Sequence, residues 1–250
     1  MVFKRVTRDR RDANRDADPL GLTHRAGGHH YRAYVGPPAD YDLIAGLTFS
    51  LLFAAGMREG HRVLDLGCGS LRAGRLLIPY LLPGGYFGLE PNRWLVEEGI
   101  EREIGDDLVR LKRPAFRYAD DFDGTPFGVS FDWVIAQSIF SHTYPDMTRA
   151  GFQKVAPALA DGGCMIATFK QGRTREGSGW LYPAVVGYKW DQVKVLLAEA
   201  GLVGKPLDWP HPRQRWFIAG RKDTAEKLQT ISRTLSLGRY SDEPADPAAP

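Results

Sequence analysis

Cysteine is scarce in this chain, and a long uninterrupted apolar run is absent. The two cysteines among its 250 residues, Cys68 and Cys164, lie in or beside apolar strand-like runs and have no ligand spacing with the six histidines. This pattern argues against a disulfide scaffold and a zinc site, and we expect no bound metal. The longest apolar run, 43–56, is shorter than a membrane span. The N-terminal stretch lacks the apolar centre of a secretory signal, so we expect a soluble protein of the cytoplasm.

Charge of one sign is not in large excess either. The chain has 33 Lys and Arg against 30 Asp and Glu, a net charge of +3, and the two signs are mixed throughout. Such a small and scattered excess does not predict nucleic-acid binding. We therefore expect neither nucleic acid nor a membrane as a partner.

Length and composition indicate one folded domain between two tails. With 43% hydrophobic residues, the chain is long enough for one sizeable core. Mixed Arg and Asp predict a disordered tail over 1–28, and a Pro-, Ala- and acid-rich end predicts disorder at the end of a C-terminal extension over 223–250. The domain over 29–222 is expected to have an N-terminal lid and helix over 29–58 and a core over 61–222.

Strand-like runs alternate with helix-like segments along the core. Seven strands are predicted, at 62–67, 86–90, 115–119, 131–137, 163–169, 203–208 and 215–221. Helices are predicted at 40–57, 71–82, 92–104, 146–160 and 190–201. The alternation predicts a Rossmann-like, doubly wound α/β fold with helices on both faces of a mostly parallel sheet. Too few residues separate the last two strands for a helix, so we expect one antiparallel strand there.

The stretch HRVLDLGCGSLRAGRLL, residues 61–77, predicts a ligand-binding turn. Gly67 and Gly69 let the backbone turn sharply and approach a ligand, and the next helix presents its N-terminal N–H groups. A dinucleotide fingerprint needs a third small residue where this chain has Arg72. No Gly-Lys-Ser/Thr follows, which argues against a P-loop.

Two acidic residues further restrict the kind of ligand that this turn can bind. Asp65 precedes the first glycine by two residues, where a carboxylate would repel a pyrophosphate but suit a ligand with an ammonium and a sulfonium. Glu90 ends the second strand about 20 residues after Gly69, where an acid accepts hydrogen bonds from ribose hydroxyls. An adenosine with a cationic amino-acid tail fits these positions.

VLDLGCGS followed by YFGLEPN resembles the class I S-adenosylmethionine-dependent methyltransferases, over roughly residues 30–222. The resemblance implies S-adenosylmethionine as cofactor, with the glycine turn around its methionine part, Glu90 at the ribose, Asp120 or Asp121 at the adenine amino group and Phe122 against the ring. The candidate cofactor-binding residues are Asp65, Gly67, Cys68, Gly69, Arg72, Glu90, Pro91, Asn92, Asp120, Asp121, Phe122 and Gln137.

The motifs RAYVG, LGCGSLRAGRLLIPYL, FDWVIAQSIFSH and WPHPRQR are similar to a narrower group of bacterial methyltransferase-domain proteins. Their substrates are mostly unassigned. The Asn-Pro-Pro-Tyr motif of enzymes that methylate nucleobases or glutamine is replaced here by AQSI, residues 136–139.

Two histidines are candidate catalytic residues, each with a structural alternative. His142 follows the fourth strand at the edge where substrates bind, and it is either a general base or a helix cap or loop contact. His211 lies between prolines, where it is either a base or part of a turn.

Three residues are candidate contacts to the substrate, Tyr34, Ser138 and Arg173. Tyr34, with Tyr31, forms either a lid or a pair of surface aromatics. Arg173 and Arg175 lie in a basic, glycine-rich loop over 170–180, which either binds an anionic acceptor or is simply solvated.

These residues predict methyl transfer from S-adenosylmethionine to an oxygen or nitrogen of a small-molecule acceptor, in natural-product or cell-surface metabolite biosynthesis. A homodimer is compatible with this function. Two alternatives stay open. One is a protein that binds the cofactor without transferring its methyl group, and the other is a nicotinamide-dinucleotide oxidoreductase.

Overall fold

The computed structural model describes residues 17–174 and 176–235. The strands are β1 (Val63–Leu66), β2 (Tyr86–Leu89), β3 (Ala115–Arg117), β4 (Phe131–Ala136), β5 (Leu159–Gln171), β6 (Gly187–Tyr188), β7 (Leu202–Leu207) and β8 (Arg215–Arg221). The α-helices are α1 (Tyr31–Tyr34), α2 (Tyr41–Ala54), α3 (Gly74–Tyr80), α4 (Arg93–Gly99), α5 (Asp106–Lys112), α6 (Pro145–Ala158), α7 (Trp190–Glu199) and α8 (Ala225–Thr234).

Seven of the strands form one sheet in the order β3-β2-β1-β4-β5-β8-β7. Strands β1 to β5 pair in parallel, and β8 runs antiparallel to both β5 and β7. The predicted fold is therefore confirmed, including its one antiparallel strand. The chain reverses its direction of winding between β1 and β4, so their carboxyl ends frame the crevice where ligands bind in such sheets.

The sheet has one strand more than the sequence predicted. The two-residue strand β6 pairs with the end of β5, through Lys170 with Gly187 and Gln171 with Tyr188. A strand this short has no detectable alternation of apolar residues, which is why pattern analysis missed it.

Both faces of the sheet are buried. Along β1, Val63 belongs to the apolar cluster on one face, while Leu64 and Leu66 belong to the cluster on the other. Trp133 and Val134 divide in the same way on β4. This alternation is expected where helices cover a parallel sheet on both sides, and it makes the central strands a rigid base for the site.

The helix ahead of the sheet lies within its predicted range. Tyr41 and Ile44 of α2 are buried, and the Tyr41 hydroxyl donates to the carbonyl oxygen of Ser70 at 2.8 Å. This bond ties α2 to the turn after β1. Within the described residues, no helix has the length and apolarity needed to cross a membrane.

The predicted tails contain ordered parts. Residues 17–28 form turns rather than disordered chain, because the Asp18 carboxylate accepts bonds from the N–H groups of Leu22 and Thr23, both at 2.9 Å. At the other end, α8 packs against β7 and β8 and buries Leu228. The rest of the predicted disorder, 1–16 and 236–250, lies outside the described residues.

Candidate active site

A cavity of about 500 Å³ lies at the carboxyl ends of β1, β2 and β4. Its wall includes residues from the N-terminal segment, the turn after β1, the end of β2 and the loop after β5. The predicted site residues that line it are Tyr34, Gly67, Gly69, Arg72, Glu90, Pro91, Asn92, Asp120, Gln137, Ser138 and His142. The fold therefore brings most of the sequence candidates to one place.

The glycine turn needs both of its glycines. Gly67 and Gly69 have φ values of +68° and +53°, which side chains disfavour. A Cβ at Gly67 would overlap the side chain of Ile139, and one at Gly69 would lie 2.6 Å from Cγ1 of Val35. Both positions therefore require glycine, because Ile139 and Val35 pack against the backbone where a Cβ would lie.

Glu90 faces this turn from the end of β2. Its side chain accepts hydrogen bonds from the N–H of Gly69 (3.1 Å), the N–H of Asn92 (2.9 Å) and the side-chain amide of Asn92 (2.8 Å). Burial raises the pKa of Glu90, and these donors oppose that shift. A carboxylate has about four acceptor positions, so one remains for a ligand hydroxyl, and a second requires the Asn92 amide to move away.

Arg72 is a buried cation without an acidic partner among the described residues. Its side chain is 8% exposed and donates to the carbonyl oxygen of Val35 (2.8 Å) and to the side-chain oxygen of Gln137. Burial lowers its pKa to about 10, so the guanidinium keeps its charge at neutral pH. A buried cation is costly unless an anion offsets it, so this wall of the cavity favours an anionic ligand group.

Asp65 and Cys68 are candidates that do not line the cavity. The carboxylate of Asp65 accepts a bond from the Tyr86 hydroxyl at 2.8 Å, and burial raises its pKa to about 7. Cys68 packs in the apolar core, where burial raises the pKa of its thiol. The structure therefore supports a space-filling role for Cys68, and it pairs Asp65 with Tyr86 away from the cavity wall.

Three candidate residues of the acidic loop after β3, Asp120, Asp121 and Phe122, have different surroundings. Asp120 lines the cavity, whereas Asp121 forms an ion pair with Arg117 at 2.5 Å and is absent from the cavity wall. Phe122 is buried and stacks on Trp180, with ring centroids 5.4 Å apart. Asp120 is thus the acid of this loop that is placed to contact a ligand.

Two segments meet over the cavity, and we call them the roof: residues 26–37 and 180–185. The rings of Tyr34 and Tyr182 lie 5.2 Å apart, and the Tyr182 hydroxyl donates to the backbone oxygen of Tyr34. Tyr34 also packs edge-on against Trp94, at 5.3 Å. Of the two interpretations of Tyr34, a lid or a surface aromatic, this contact favours the lid. Tyr182 was not predicted, because nothing in the local pattern shows that the two segments meet.

Other residues of the cavity wall were not predicted from the sequence either. Val35, Ile139, Trp180 and Gln214 line the cavity. Their residue types are common in cores and loops, and no spacing among them signals a site. Tyr31 belongs to the first roof segment but does not line the cavity, and its hydroxyl donates to the carboxylate of Glu103 at 2.9 Å.

His142 lines the cavity with one ring nitrogen engaged. Its Nδ1 lies 2.7 Å from the carbonyl oxygen of Ala184, which only accepts, so Nδ1 carries the proton of the neutral ring. The Nε2 atom then holds the lone pair. Burial lowers the pKa of His142, so the neutral ring predominates at pH 7. The side chain has the protonation state of a general base.

His211 has the opposite arrangement. Its Nδ1 accepts the N–H groups of Arg213 (3.1 Å) and Gln214 (3.0 Å), so the proton of the neutral ring is on Nε2 and no basic nitrogen is free. His211 does not line the cavity, and this favours the turn interpretation. Arg173 is exposed and also lies outside the cavity wall, while Arg175 lies outside the described residues.

The chain is similar to known proteins in part of its sequence and in its fold. Residues 64–165 match the family model described as a methyltransferase domain. The magnesium protoporphyrin IX methyltransferase from Synechocystis PCC 6803, solved with bound S-adenosylhomocysteine, is 17% identical; the match covers 86% of this chain and 100% of that one, with a TM-score of 0.58.

Two further solved structures share the fold. The DhpI complex with S-adenosylhomocysteine is 22% identical, with 80% of this chain and 95% of that one covered and a TM-score of 0.57. The mitomycin 7-O-methyltransferase MmcR is 17% identical, with 76% and 56% covered and a TM-score of 0.55. The resemblance found in the sequence is confirmed at the level of the fold. Residues 64–165 match the methyltransferase-domain model, and the chain has the fold of the class I S-adenosylmethionine-dependent methyltransferases.

Proposed function

We propose that this protein transfers the methyl group of S-adenosylmethionine to an oxygen or nitrogen atom of a small-molecule acceptor. One observation carries the proposal: a single cavity joins the glycine turn, Glu90 and Arg72 with a histidine held in its basic form. We place the acceptor in natural-product or cell-surface metabolite biosynthesis. Two of the structurally similar proteins, the magnesium protoporphyrin IX methyltransferase and the mitomycin 7-O-methyltransferase, are named for small-molecule substrates, and this agrees with the proposal.

The described residues fit the cofactor. Arg72 is a buried cation with no ion pair among the described residues, so it suits the cofactor carboxylate, and Gly67 and Gly69 line the same cavity. Glu90 is assigned to a ribose hydroxyl and Asp120 to the adenine amino group. When bound, S-adenosylmethionine supplies a methyl group that its sulfonium already activates.

The remaining chemistry falls to the chain's own side chains. His142 accepts the acceptor's proton at Nε2, while the Ala184 carbonyl holds Nδ1 and fixes the ring. The roof excludes water and aligns the acceptor, and alignment of reacting groups contributes on the order of 7–11 kcal/mol in favourable cases. A base of this kind suits a hydroxyl acceptor, since an amine that is neutral at working pH needs none.

Calorimetric titration of the purified chain tests the cofactor first. S-adenosylmethionine and S-adenosylhomocysteine should bind with micromolar affinity and NADH should not. Binding of NADH alone would revive the oxidoreductase alternative. Accumulation of S-adenosylhomocysteine with an acceptor then separates methyl transfer from binding without transfer.

Glu90→Gln should weaken S-adenosylhomocysteine binding by about ten- to a hundredfold, because charge-assisted hydrogen bonds contribute about 1.5–3 kcal/mol. Glu97→Gln is the matched control, since Glu97 is an exposed acid paired with Arg93 on α4. Circular dichroism should show both variants folded. Wild-type affinity in Glu90→Gln would remove Glu90 from the cofactor site.

A further inference from the structure

A second concave surface adjoins the cavity at the turn between β7 and β8. It has a volume of about 550 Å³ and is lined by Lys170, Gln171 and residues 208–215, which we call the basic groove. Arg213 and Gln214 line both the basic groove and the cavity. A molecule that occupies both spaces must therefore pass these two residues.

The basic groove carries unbalanced positive charge. Three cations line it, Lys170, Arg213 and Arg215, against one acid, Asp208. Arg213 is paired with Asp40. Among the residues that the structure describes, the other two cations have no acidic partner: Lys170 donates to a backbone carbonyl oxygen at 3.1 Å, and Arg215 to a side-chain amide oxygen at 3.2 Å. An ammonium has three donors and a guanidinium five, so both retain donors for an anion.

The histidine in the basic groove reflects the same surroundings. Burial, together with the charges of Arg72, Arg213 and Lys170, lowers the pKa of His211 to about 4. The ring therefore stays neutral at physiological pH, and the charge of the groove comes from its Arg and Lys side chains. A concave surface with this excess of cations attracts small anions.

We propose that the methyl acceptor is an anionic small molecule, with its carboxylate or phosphoryl group in the basic groove and its nucleophile in the cavity beside His142. This inference rests on the proposed function, because the acceptor is the molecule that bridges the two spaces. It extends that function by assigning the chemical class of the substrate and a second part of its binding site.

Gln214 forms the wall between the two spaces. Its side-chain nitrogen donates to the hydroxyl oxygens of Ser138 (2.8 Å) and Ser141 (3.2 Å). Its buried side-chain oxygen has no hydrogen-bond partner in the described structure. An unpaired buried oxygen is unfavourable, so a donor on the bridging part of the acceptor would satisfy it.

Calorimetric titration of the full chain with inorganic pyrophosphate and with citrate, at low ionic strength and with S-adenosylhomocysteine present, tests this site. At least one of the two anions should bind. Tighter binding of pyrophosphate assigns a phosphoryl group to the acceptor, and tighter binding of citrate assigns carboxylates. Lys170→Gln and Arg215→Gln should each weaken the binding about tenfold.

Arg110→Gln is the matched control, because it removes the same charge from an exposed Arg that is paired with Asp107 on α5. Equal losses in this control and in the groove variants, or no binding of either anion, would overturn the anion site. Tighter binding of a single-stranded RNA through Lys170 and Arg215 would overturn the small-molecule assignment. If S-adenosylhomocysteine binds but neither anion does, only this inference is rejected. If an anion binds but S-adenosylhomocysteine does not, the proposed function is rejected.

Discussion

Two buried carboxylates near the glycine turn differ in their hydrogen-bond partners. Glu90 accepts backbone N–H bonds at the cavity, whereas Asp65 accepts one bond from Tyr86 and does not line the cavity. Similar acids on adjacent strands therefore receive different roles, and the difference comes from the residues that surround each one. Only Glu90 is placed to exchange its partners for a ligand.

Asp65→Asn should raise the free energy of unfolding at alkaline pH. The folded-state pKa of about 7 lies above the ordinary value of 3.8, so the folded chain binds more protons between these values and its stability falls as pH rises through that window. Asn keeps an oxygen for the Tyr86 hydroxyl and has no charge to bury. Since one pKa unit corresponds to about 1.4 kcal/mol, we expect a gain of roughly 2–4 kcal/mol near pH 8.5 and little change near pH 4.

Chemical denaturation of the wild type and of Asp65→Asn at the two pH values measures this effect. The affinity for S-adenosylhomocysteine should stay at the wild-type value, because Asp65 bonds to Tyr86 and does not line the cavity. A less stable variant at the higher pH would contradict the burial argument. Lost affinity would return Asp65 to the cofactor site.

His142→Asn should lower kcat by about a hundred- to ten-thousandfold with an acceptor that requires proton removal. Asn retains a donor for the Ala184 carbonyl but has no basic nitrogen. Because burial lowers the pKa of His142 below 6.5, the wild-type rate should hold at neutral pH and decline only in acid. Steady-state kinetics across pH measure both effects.

His211→Asn serves as the comparison, since His211 lies outside the cavity and its Nδ1 is engaged by backbone donors. It should leave the acid limb of the pH profile in place. If His142→Asn kept the wild-type rate and profile, His142 would be a loop contact only.

At the scale of elements, the site depends on how two distant segments close over three strand ends. The strand ends are rigid because the central strands are buried on both faces. The roof instead consists of short segments that meet through Tyr34 and Tyr182. Both segments line the cavity, so we expect their contact to control the rate of ligand release.

Tyr182→Phe should speed the release of S-adenosylhomocysteine about fivefold, because it removes the hydrogen bond to the Tyr34 carbonyl, and a net hydrogen bond contributes about 1 kcal/mol. Stopped-flow displacement measures the rate. Tyr118→Phe is the control, because Tyr118 is 41% exposed and does not line the cavity. Equal release rates in all three proteins would show that the hydroxyl does not hold the roof closed.

At the scale of the whole molecule, binding of the proposed cofactor should stabilise the folded chain. A ligand that binds the folded chain alone, at 100 times its Kd, stabilises it by about 2.7 kcal/mol. For a chain of this size that corresponds to a rise in Tm of roughly 5–10 °C. Differential scanning fluorimetry should show this shift with S-adenosylhomocysteine and none with NADH, and the reverse result would contradict the assignment of the turn.

The central sheet and part of the site are local in origin, so they were predictable. Buried strands need continuous apolar runs, and the turn after β1 needs residues without side chains at 67 and 69. Glu90 and Asp120 follow strands, so their approach to one edge follows from parallel pairing alone. The ordered turns over 17–28 were missed because mixed charges hide the Asp18 hydrogen bonds.

By itself, then, the sequence determined the order of seven strands and five helices, the antiparallel hairpin at the end, and the residues of the glycine turn with Glu90. It did not predict β6, α1, α5 or α8. Periodicity and turn chemistry depend only on residues that are close together in the sequence, so they can be predicted without the structure. Only the tertiary structure decided which candidates face the cavity. It placed Asp65 with Tyr86 and His211 in a turn, closed Tyr34 against Tyr182, and joined the basic groove to the cavity at Arg213 and Gln214. These contacts link residues far apart in the chain, and packing alone brings them together.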